Sequence, residues 1–258
     1  MTYEAYRAWR DRPIDGSPSL SVVIPAYNEA ERILPTVGAF AVHLSRSGKP
    51  WELIVSDDGS TDGTPELLEA TTLANLHVVR APANEGKGAA VRRGVMAARG
   101  QAVLFADADN STPIEHADDL LAALEAGADV AIGSRAADGA SEANKSAFRR
   151  MASGGIRWLA STTLALDVRD TQCGFKLMPT PIAQELFSSM TIDGFSFDLE
   201  VLFLAAKRGY RIAEVPVGWV DAPGSKVDVR KEMQRFLRDL ALIRANDLRG
   251  RYERGSVA

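Results

Sequence analysis

Hydrophobic positions along this chain fall into two patterns that alternate. Short, nearly continuous apolar runs occupy 19–25 (SLSVVIP), 51–56 (WELIVS), 76–80, 101–106 and 129–133. Each reads as a strand buried on both faces. Between them, apolar residues recur at helical spacing from Glu29 to about Ser45, Thr64 to Leu73, Gly86 to Arg99 and Pro113 to Glu125. Thr64 stands as an N-cap before Pro65. Alternation of this kind predicts an α/β fold, a mostly parallel sheet with helices on both faces. The second half is less regular. A polar, Gly/Ala-rich loop is expected over Ala136–Lys145, helices over Ser146–Thr163, Pro179–Phe187 and Phe197–Lys207, and strands over Cys173–Met178 and Tyr210–Val217. A basic amphipathic helix is expected from Val227 to about Asp247. No repeat or low-complexity linker interrupts the chain, so 1–258 reads as one domain.

Composition narrows the picture. With 258 residues, 46% of them hydrophobic and 25% charged, the chain can bury a sizeable core. A net charge of −4 gives no argument for nucleic acid. No apolar run approaches the ~20 residues of a membrane-spanning helix. The start, MTYEAYRAWRDRP, lacks the apolar stretch of a signal peptide. Cys173 stands alone, so no internal disulfide forms, in keeping with a reducing compartment. The expected location is cytoplasmic, with the inner surface of the cell membrane as the alternative.

The polar residues that matter follow strand ends, where ligands of such sheets bind. Asp107-Ala108-Asp109 closes the run 102–106. Alternate residues of a strand point the same way, so both carboxylates can face one point. Hard cations such as Mg²⁺ or Mn²⁺ favour oxygen ligands and share them with substrate phosphates. Asp pairs also cap helices, and Pro113 marks a helix start nearby. Pro25-Ala26-Tyr27-Asn28-Glu29 ends the first strand, where Asn28 can serve as a helix cap. Asp57, after the second strand, can accept N–H from a base, whereas Asp58-Gly59-Ser60 can equally be turn chemistry. Asn84-Glu85-Gly86-Lys87-Gly88 opens a helix with small residues that let a ligand approach and a lysine point charge. It is not a Walker A loop.

These segments carry a resemblance. SVVIPAYNEAERI, VSDDGSTDGT, NEGKGAAVRRG, FADADNST and GSR are similar to the nucleotide-sugar half of inverting family 2 glycosyltransferases with the GT-A fold. DTQCGFKLM, FSFDLEVLFLAAKRGYRIAEVPVGW and GSKV resemble the dolichyl-phosphate glucosyltransferase branch, a polyprenyl-phosphate group. The match spans roughly 19–230. It implies a nucleotide-sugar half over 19–135, an acceptor half over 136–225 and a C-terminal helix and tail over 226–258. It further implies a nucleoside diphosphate sugar donor, UDP-glucose before GDP sugars, and a polyprenyl phosphate acceptor. Pro25, Ala26, Tyr27, Glu29, Asp57, Lys87, Asp107, Ala108 and Asp109 would bind the donor, with Asp107 and Asp109 holding Mg²⁺ or Mn²⁺. Ser111 stands where related polyprenyl-phosphate mannose enzymes carry Gln, leaving the third protein ligand open. Arg135, Arg149, Ser225 and Lys226 would meet the acceptor phosphate.

Asp170 and Lys176, in the Cys173 segment, belong with Asp109 and Arg135 to the expected reaction centre. Asp198 and Glu200 are further carboxylate candidates. A hydroxyl acceptor would need one of these as a general base. A phosphate monoester, with a second pKa near ~6, is already an ionised nucleophile at neutral pH. Cations around the acceptor then matter more than a base, a demand that Arg135, Arg149, Lys176 and Lys226 fit, and Asp170 could instead orient Lys176 or Arg169. Cys173 reads as a packed thiol, and His43, His77 and His116 as structural. From Lys226 to Arg254 nine Lys/Arg stand against five Asp/Glu. Val229, Met233, Phe236, Leu237, Leu240 and Ile243 form an apolar face that can meet a membrane, its own domain or a second copy in a homodimer. Rival readings are transfer to a soluble hydroxyl acceptor, a non-catalytic nucleotide-sugar-binding module, and a sugar nucleotidyltransferase. The last lacks its N-terminal Gly-rich loop here.

Overall fold

The computed structural model describes residues 17–71, 73–142, 160, 162–220 and 229–253. Strands β1 (Leu20–Ala26), β2 (Trp51–Asp57), β3 (Leu76–Arg80), β4 (Ala102–Ala106) and β5 (Val130–Ser134) alternate with helices. These are α1 (Ile33–Leu44), α2 (Thr64–Glu69), α3 (Lys87–Ala97) and α4 (His116–Glu125). Then come β6 (Ser141–Glu142), β7 (Phe175–Pro179), α5 (Thr180–Ser189), α6 (Phe197–Lys207), β8 (Ile212–Pro216), β9 (Gly218–Trp219) and α7 (Val229–Leu248). The seven-stranded sheet runs β3-β2-β1-β4-β7-β5-β8. All its pairings are parallel except those of β7, which lies antiparallel between β4 and β5.

The strands are buried on both faces, and their alternation assigns each residue to one of two cores. Val23, Ile54, Val103 and Phe105 face the core roofed by α3, α5 and α6. Val22, Ile24, Leu53, Val55 and Leu104 face the core roofed by α1 and α4. Phe105 anchors a ring cluster with Phe187 at 6.1 Å and Phe197 at 5.6 Å. That cluster holds the end of β4 and the start of α6 rigid, two residues from Asp107 and one from Asp198.

Several expected boundaries move. α1 begins at Ile33, because Asn28 takes a left-handed φ of 55° and caps no helix. Its Oδ1 instead accepts the Thr61 amide at 2.9 Å. α2 is capped from outside: Asp62 accepts the Thr64 amide and hydroxyl, so Thr64 is not the N-cap. The expected loop over Ala136–Lys145 contains β6, which pairs with β9 in a two-stranded parallel sheet. Most of the expected helix over Ser146–Thr163 lies outside the described residues. Helix α7 buries Phe236, Leu240 and Ile243 in its own domain's core. Those three residues are therefore not available to a membrane or a second copy, because the domain already covers them. Leu237, 46% exposed, and Leu248 remain outside.

Candidate active site

The carboxyl edge of the parallel strands gathers the residues singled out from sequence. β1 meets β2 on one side and β4 on the other, so the edge between β1 and β4 is a topological switch point. The antiparallel direction of β7 brings its beginning, not its end, to this edge. Phe175 pairs with Ala106, and the Asp107 amide donates to the Gly174 carbonyl at 3.2 Å. This is how the Cys173 segment comes to lie beside Asp107. A Cβ on Gly174 would sit 2.2 Å from the Asp107 carboxylate, so any larger residue there would push that carboxylate aside.

Asp107 and Asp109 are half-buried at the edge, and Ala108 between them is in the core. The Ala108 carbonyl accepts the Thr36 hydroxyl at 2.7 Å, fixing the turn from beneath. Asp109 Oδ1 accepts the Ser111 amide at 2.9 Å. Lys87 Nζ lies 2.7 Å from Asp107 Oδ1. Burial disfavours the Lys87 charge, but Asp107, Asp198 and Asp109 outweigh it and hold its pKa above the usual lysine value. Lys87 also stands over the Phe195 ring at 5.8 Å.

The small residues around Lys87 have another purpose than ligand approach. The Gly88 and Ala89 amides donate to the Asp193 carbonyl at 2.7 and 3.2 Å. Gly86 has φ 110°, and a Cβ there would lie 2.4 Å from the same carbonyl. The start of α3 is thus capped by the 191–196 loop of the other half, and its first amides are not open to a phosphate. That loop is held in turn by Glu200, which accepts the Thr191 and Ile192 amides and the Tyr252 hydroxyl. Asp58, open between turn and site from sequence alone, accepts the Glu85 and Gly86 amides and so anchors this segment.

Asp57 ends β2 fully buried. Its Oδ2 accepts the Ser60 amide at 3.2 Å and lies 3.5 Å from Arg80 Nε. Its Oδ1 is buried and meets no hydrogen-bond donor among the described residues. Pro25 and Ala26 are the buried end of β1, in register with Ser56 and Asp57. Tyr27 is 46% exposed beyond them. Glu29 is held by both nitrogens of Arg32 at 2.7 and 2.9 Å. Burial raises its pKa and Asp109 adds to this, against the pull of Arg32.

In the acceptor half the expected cations and carboxylates pair with one another. Asp170, fully buried, accepts the backbone amide, Nε and Nη2 of Arg135 at 2.9, 2.7 and 2.9 Å. It therefore positions Arg135 rather than Lys176 or Arg169. Arg135 also packs on the Trp219 ring at 5.7 Å. Lys176 is fully buried, with Nζ 2.6 Å from the Cys173 carbonyl and 2.6 Å from Asp198 Oδ1. Its ammonium is enclosed and does not stand open toward an acceptor, as sequence reasoning expected. Burial raises the Asp198 pKa, and Lys176 and Lys87 act against it. Burial likewise pushes the Cys173 thiol up to about 11, in keeping with a packed thiol. Arg149, Ser225 and Lys226 lie outside the described residues. Trp219, Phe195 and Asp193 were missed from sequence. Phe195 and Trp219 stand at the two ends of the segment 195–219 that carries the resemblance, but they touch the site only through pairings between distant segments.

Asp107 and Asp109 suit a hard divalent cation. An ammonium already stands against Asp107 in the place where positive charge is needed, and both side chains offer carboxylate oxygens. Among the described residues no group of three His, Cys, Asp or Glu could hold a metal by itself. The remaining ligands would come from substrate phosphate and water, as is usual for Mg²⁺.

Comparison with known proteins places this arrangement. The model of glycosyl transferase family 2 matches residues 21–187. A dolichyl-phosphate beta-glucosyltransferase of Drosophila melanogaster is 35% identical over 262 residues, covering 95% of this chain and 80% of the relative. The Homo sapiens protein of the same name is 33% identical, covering 90% and 76%. Among solved structures, Mycobacterium tuberculosis glucosyl-3-phosphoglycerate synthase with UDP superposes with a TM-score of 0.67 at 23% identity, covering 94% of this chain and 84% of that one. Its complex with Mn²⁺ and UDP-glucose gives 0.65 at 23% identity, covering 94% and 82%. The fold is GT-A, and the chain belongs to glycosyl transferase family 2 and is a glycosyltransferase.

Proposed function

We propose that this enzyme moves glucose from UDP-glucose to a polyprenyl phosphate of the dolichyl phosphate type, with inversion, in a divalent-metal-dependent reaction at the membrane surface. The observation that carries the reading is the acidic sheet edge. There Asp57 keeps a buried oxygen without a donor among the described residues, and the half-buried Asp107 and Asp109 follow the end of β4, on the far side of β1. Asp57 accepts the imide N–H of the base, and Tyr27 offers its exposed ring beside it. Asp107 and Asp109 would hold Mg²⁺ or Mn²⁺, which would supply positive charge against the departing nucleoside diphosphate. The names of the relatives support glucose and a lipid phosphate.

The chain's own carboxylates favour a phosphate nucleophile over a hydroxyl. A hydroxyl needs a general base. Yet Asp170 is engaged by Arg135, Asp198 by Lys176, and Glu200 by backbone amides and Tyr252. An ionised phosphate oxygen attacks the anomeric carbon without such help, in line with the leaving diphosphate. Arg135, fixed by Asp170 and Trp219, is oriented to meet acceptor charge, with Arg149, Ser225 and Lys226 as further contacts. Among the described residues no helix is long and apolar enough to cross a membrane. Because the proposed acceptor is a lipid, the reaction is placed at the membrane interface, on the cytoplasmic face where the nucleotide sugar is expected.

Purified protein, Mg²⁺, radiolabelled UDP-glucose and a short-chain polyprenyl phosphate test this directly. Metal-dependent label in the organic phase is the expected result. UDP-glucose binding without transfer to the lipid would overturn the acceptor and favour a soluble one.

A further inference from the structure

Lys87 stands 2.7 Å from Asp107 at the sheet edge, and so occupies a carboxylate oxygen that a metal would need. Three features of the surroundings bear on it. The backbone of Lys87 is rigid, because the next two amides are tied to the Asp193 carbonyl at 2.7 and 3.2 Å. The side chain is a four-carbon stem with a compact charge, 21% exposed, so it can swing while its backbone stays fixed. Along its course stands Phe195, 50% exposed, whose ring already lies 5.8 Å from the ammonium and can cradle a cation in more than one position.

We propose that Lys87 and a divalent cation exchange at Asp107: the ammonium holds the carboxylate before substrate arrives, and leaves it for the donor diphosphate when a metal-bound nucleotide enters. This rests on the reading of Asp107 and Asp109 as metal-holding residues. The physical reason is charge balance. Two carboxylates and one ammonium leave a single negative charge for a dication, and like charges a few ångström apart repel. A diphosphate entering with the metal restores a partner for Lys87. Metal alone is therefore held weakly, and metal and nucleotide each strengthen the other's binding, as reciprocal coupling requires. Lys87 is in this view a positioning residue before it is a substrate contact.

The test is Mn²⁺ binding, read from the electron paramagnetic resonance signal of free Mn²⁺, with and without UDP, in wild type and Lys87→Met. Thermal unfolding checks that the variant is folded. Without UDP, the variant is expected to bind Mn²⁺ about tenfold tighter than wild type, and with Mn²⁺ present its UDP affinity is expected to fall about tenfold. Unchanged or weaker Mn²⁺ binding by the variant would overturn the exchange. So would tighter Mn²⁺ binding with UDP affinity unchanged, since Lys87 would then be a background charge alone. Should wild type and Asp107→Asn both ignore Mn²⁺ even with UDP, the metal reading itself fails, and the exchange with it. A measurement on the unaltered protein gives an independent check. Acetylation of Lys87, mapped on its peptide, is expected to speed up when Mn²⁺ is added and slow down when UDP follows. Equal rates in all three states would overturn the proposal.

Discussion

Strand β2 carries a buried carboxylate at each end, and the two are kept very differently. Glu52, near the amino edge, accepts the Ser21 hydroxyl at 2.6 Å, the Arg99 amide at 2.9 Å, and Arg99 Nε and Nη2 at 3.0 and 2.7 Å. Both of its oxygens are filled. Asp57, at the carboxyl edge, keeps one buried oxygen with no donor among the described residues. Burying a charge is costly unless it is paired and hydrogen-bonded. The saturated carboxylate therefore ties β1, β2 and the end of α3 together. The unsaturated one holds a cost in reserve that a ligand's N–H can relieve. The same contrast extends along the two edges, with the half-buried Asp107 facing the Lys87 ammonium at the carboxyl side.

The largest expected effect comes from the edge built for binding. Asp109→Asn should lower turnover about a thousandfold, as loss of a preorganised charge at a reacting phosphate does. Its melting temperature should stay near that of wild type, since the Asp109 contact to Ser111 is local. Steady-state rates with a calorimetric scan check this. A large drop in melting temperature would make Asp109 a second Glu52 and break the comparison.

Glu52→Ala should do the reverse. Removing the carboxylate leaves the buried Ser21 hydroxyl and the Arg99 amide without their acceptor, at a cost of about 2 kcal/mol in unfolding free energy. Turnover per folded molecule should not change. Urea unfolding and active-site-normalised rates separate the two, and a loss of turnover at constant stability would count against the division of roles.

Next comes Gly174→Ala. The new Cβ would stand 2.2 Å from the Asp107 carboxylate and force it aside, so activity should fall about a hundredfold. Mn²⁺ binding in the presence of UDP should weaken in parallel. Full activity in this variant would mean that Asp107 does not need its place.

Asp57→Asn should weaken UDP binding by about tenfold, one lost charge-assisted hydrogen bond, with stability little changed or improved. Isothermal titration measures it. The smallest effect is on pH. Burial alone would raise the Glu52 pKa, but Ser21 and Arg99 overcome it and hold the carboxyl below its usual 4.5. A depressed carboxylate contributes stability that is present above its unfolded pKa and lost as pH falls through the folded one. Wild type should thus lose stability on acidification below about 4.5 more steeply than Glu52→Gln. Identical slopes would remove Glu52 from the acid response.

Much of this site was legible before any fold was known. The Asp-Ala-Asp at a strand end, the carboxylate after β2 and the lysine at a helix start all depend on local periodicity. Local periodicity is what a sequence displays directly. Arg135 just after β5 was equally visible, whereas nothing in the segment around Cys173 singled out Gly174. What stayed hidden is how charges choose partners. Arg135 and Asp170 are 35 residues apart, and Arg92 and Asp193 are 101 apart. A buried cation takes whichever carboxylate the fold brings within reach, and spacing along the chain says nothing about that. So Lys176, expected to face an acceptor, turned inward to Asp198, and the glycines around Lys87 served the Asp193 carbonyl.

From sequence alone, then, came the alternating strands and helices, the α/β class, the family and the acidic strand ends, because each is written in contiguous runs of the chain. Only the tertiary structure decided that β7 enters the sheet antiparallel and so delivers Gly174 to Asp107. It also decided that Phe236, Leu240 and Ile243 of α7 belong to the core, and that Asp170 pairs with Arg135 and Asp198 with Lys176. Those outcomes depend on which of several favourable pairings survives when all must be satisfied at once. That competition is settled by packing in three dimensions and leaves no local trace in the chain.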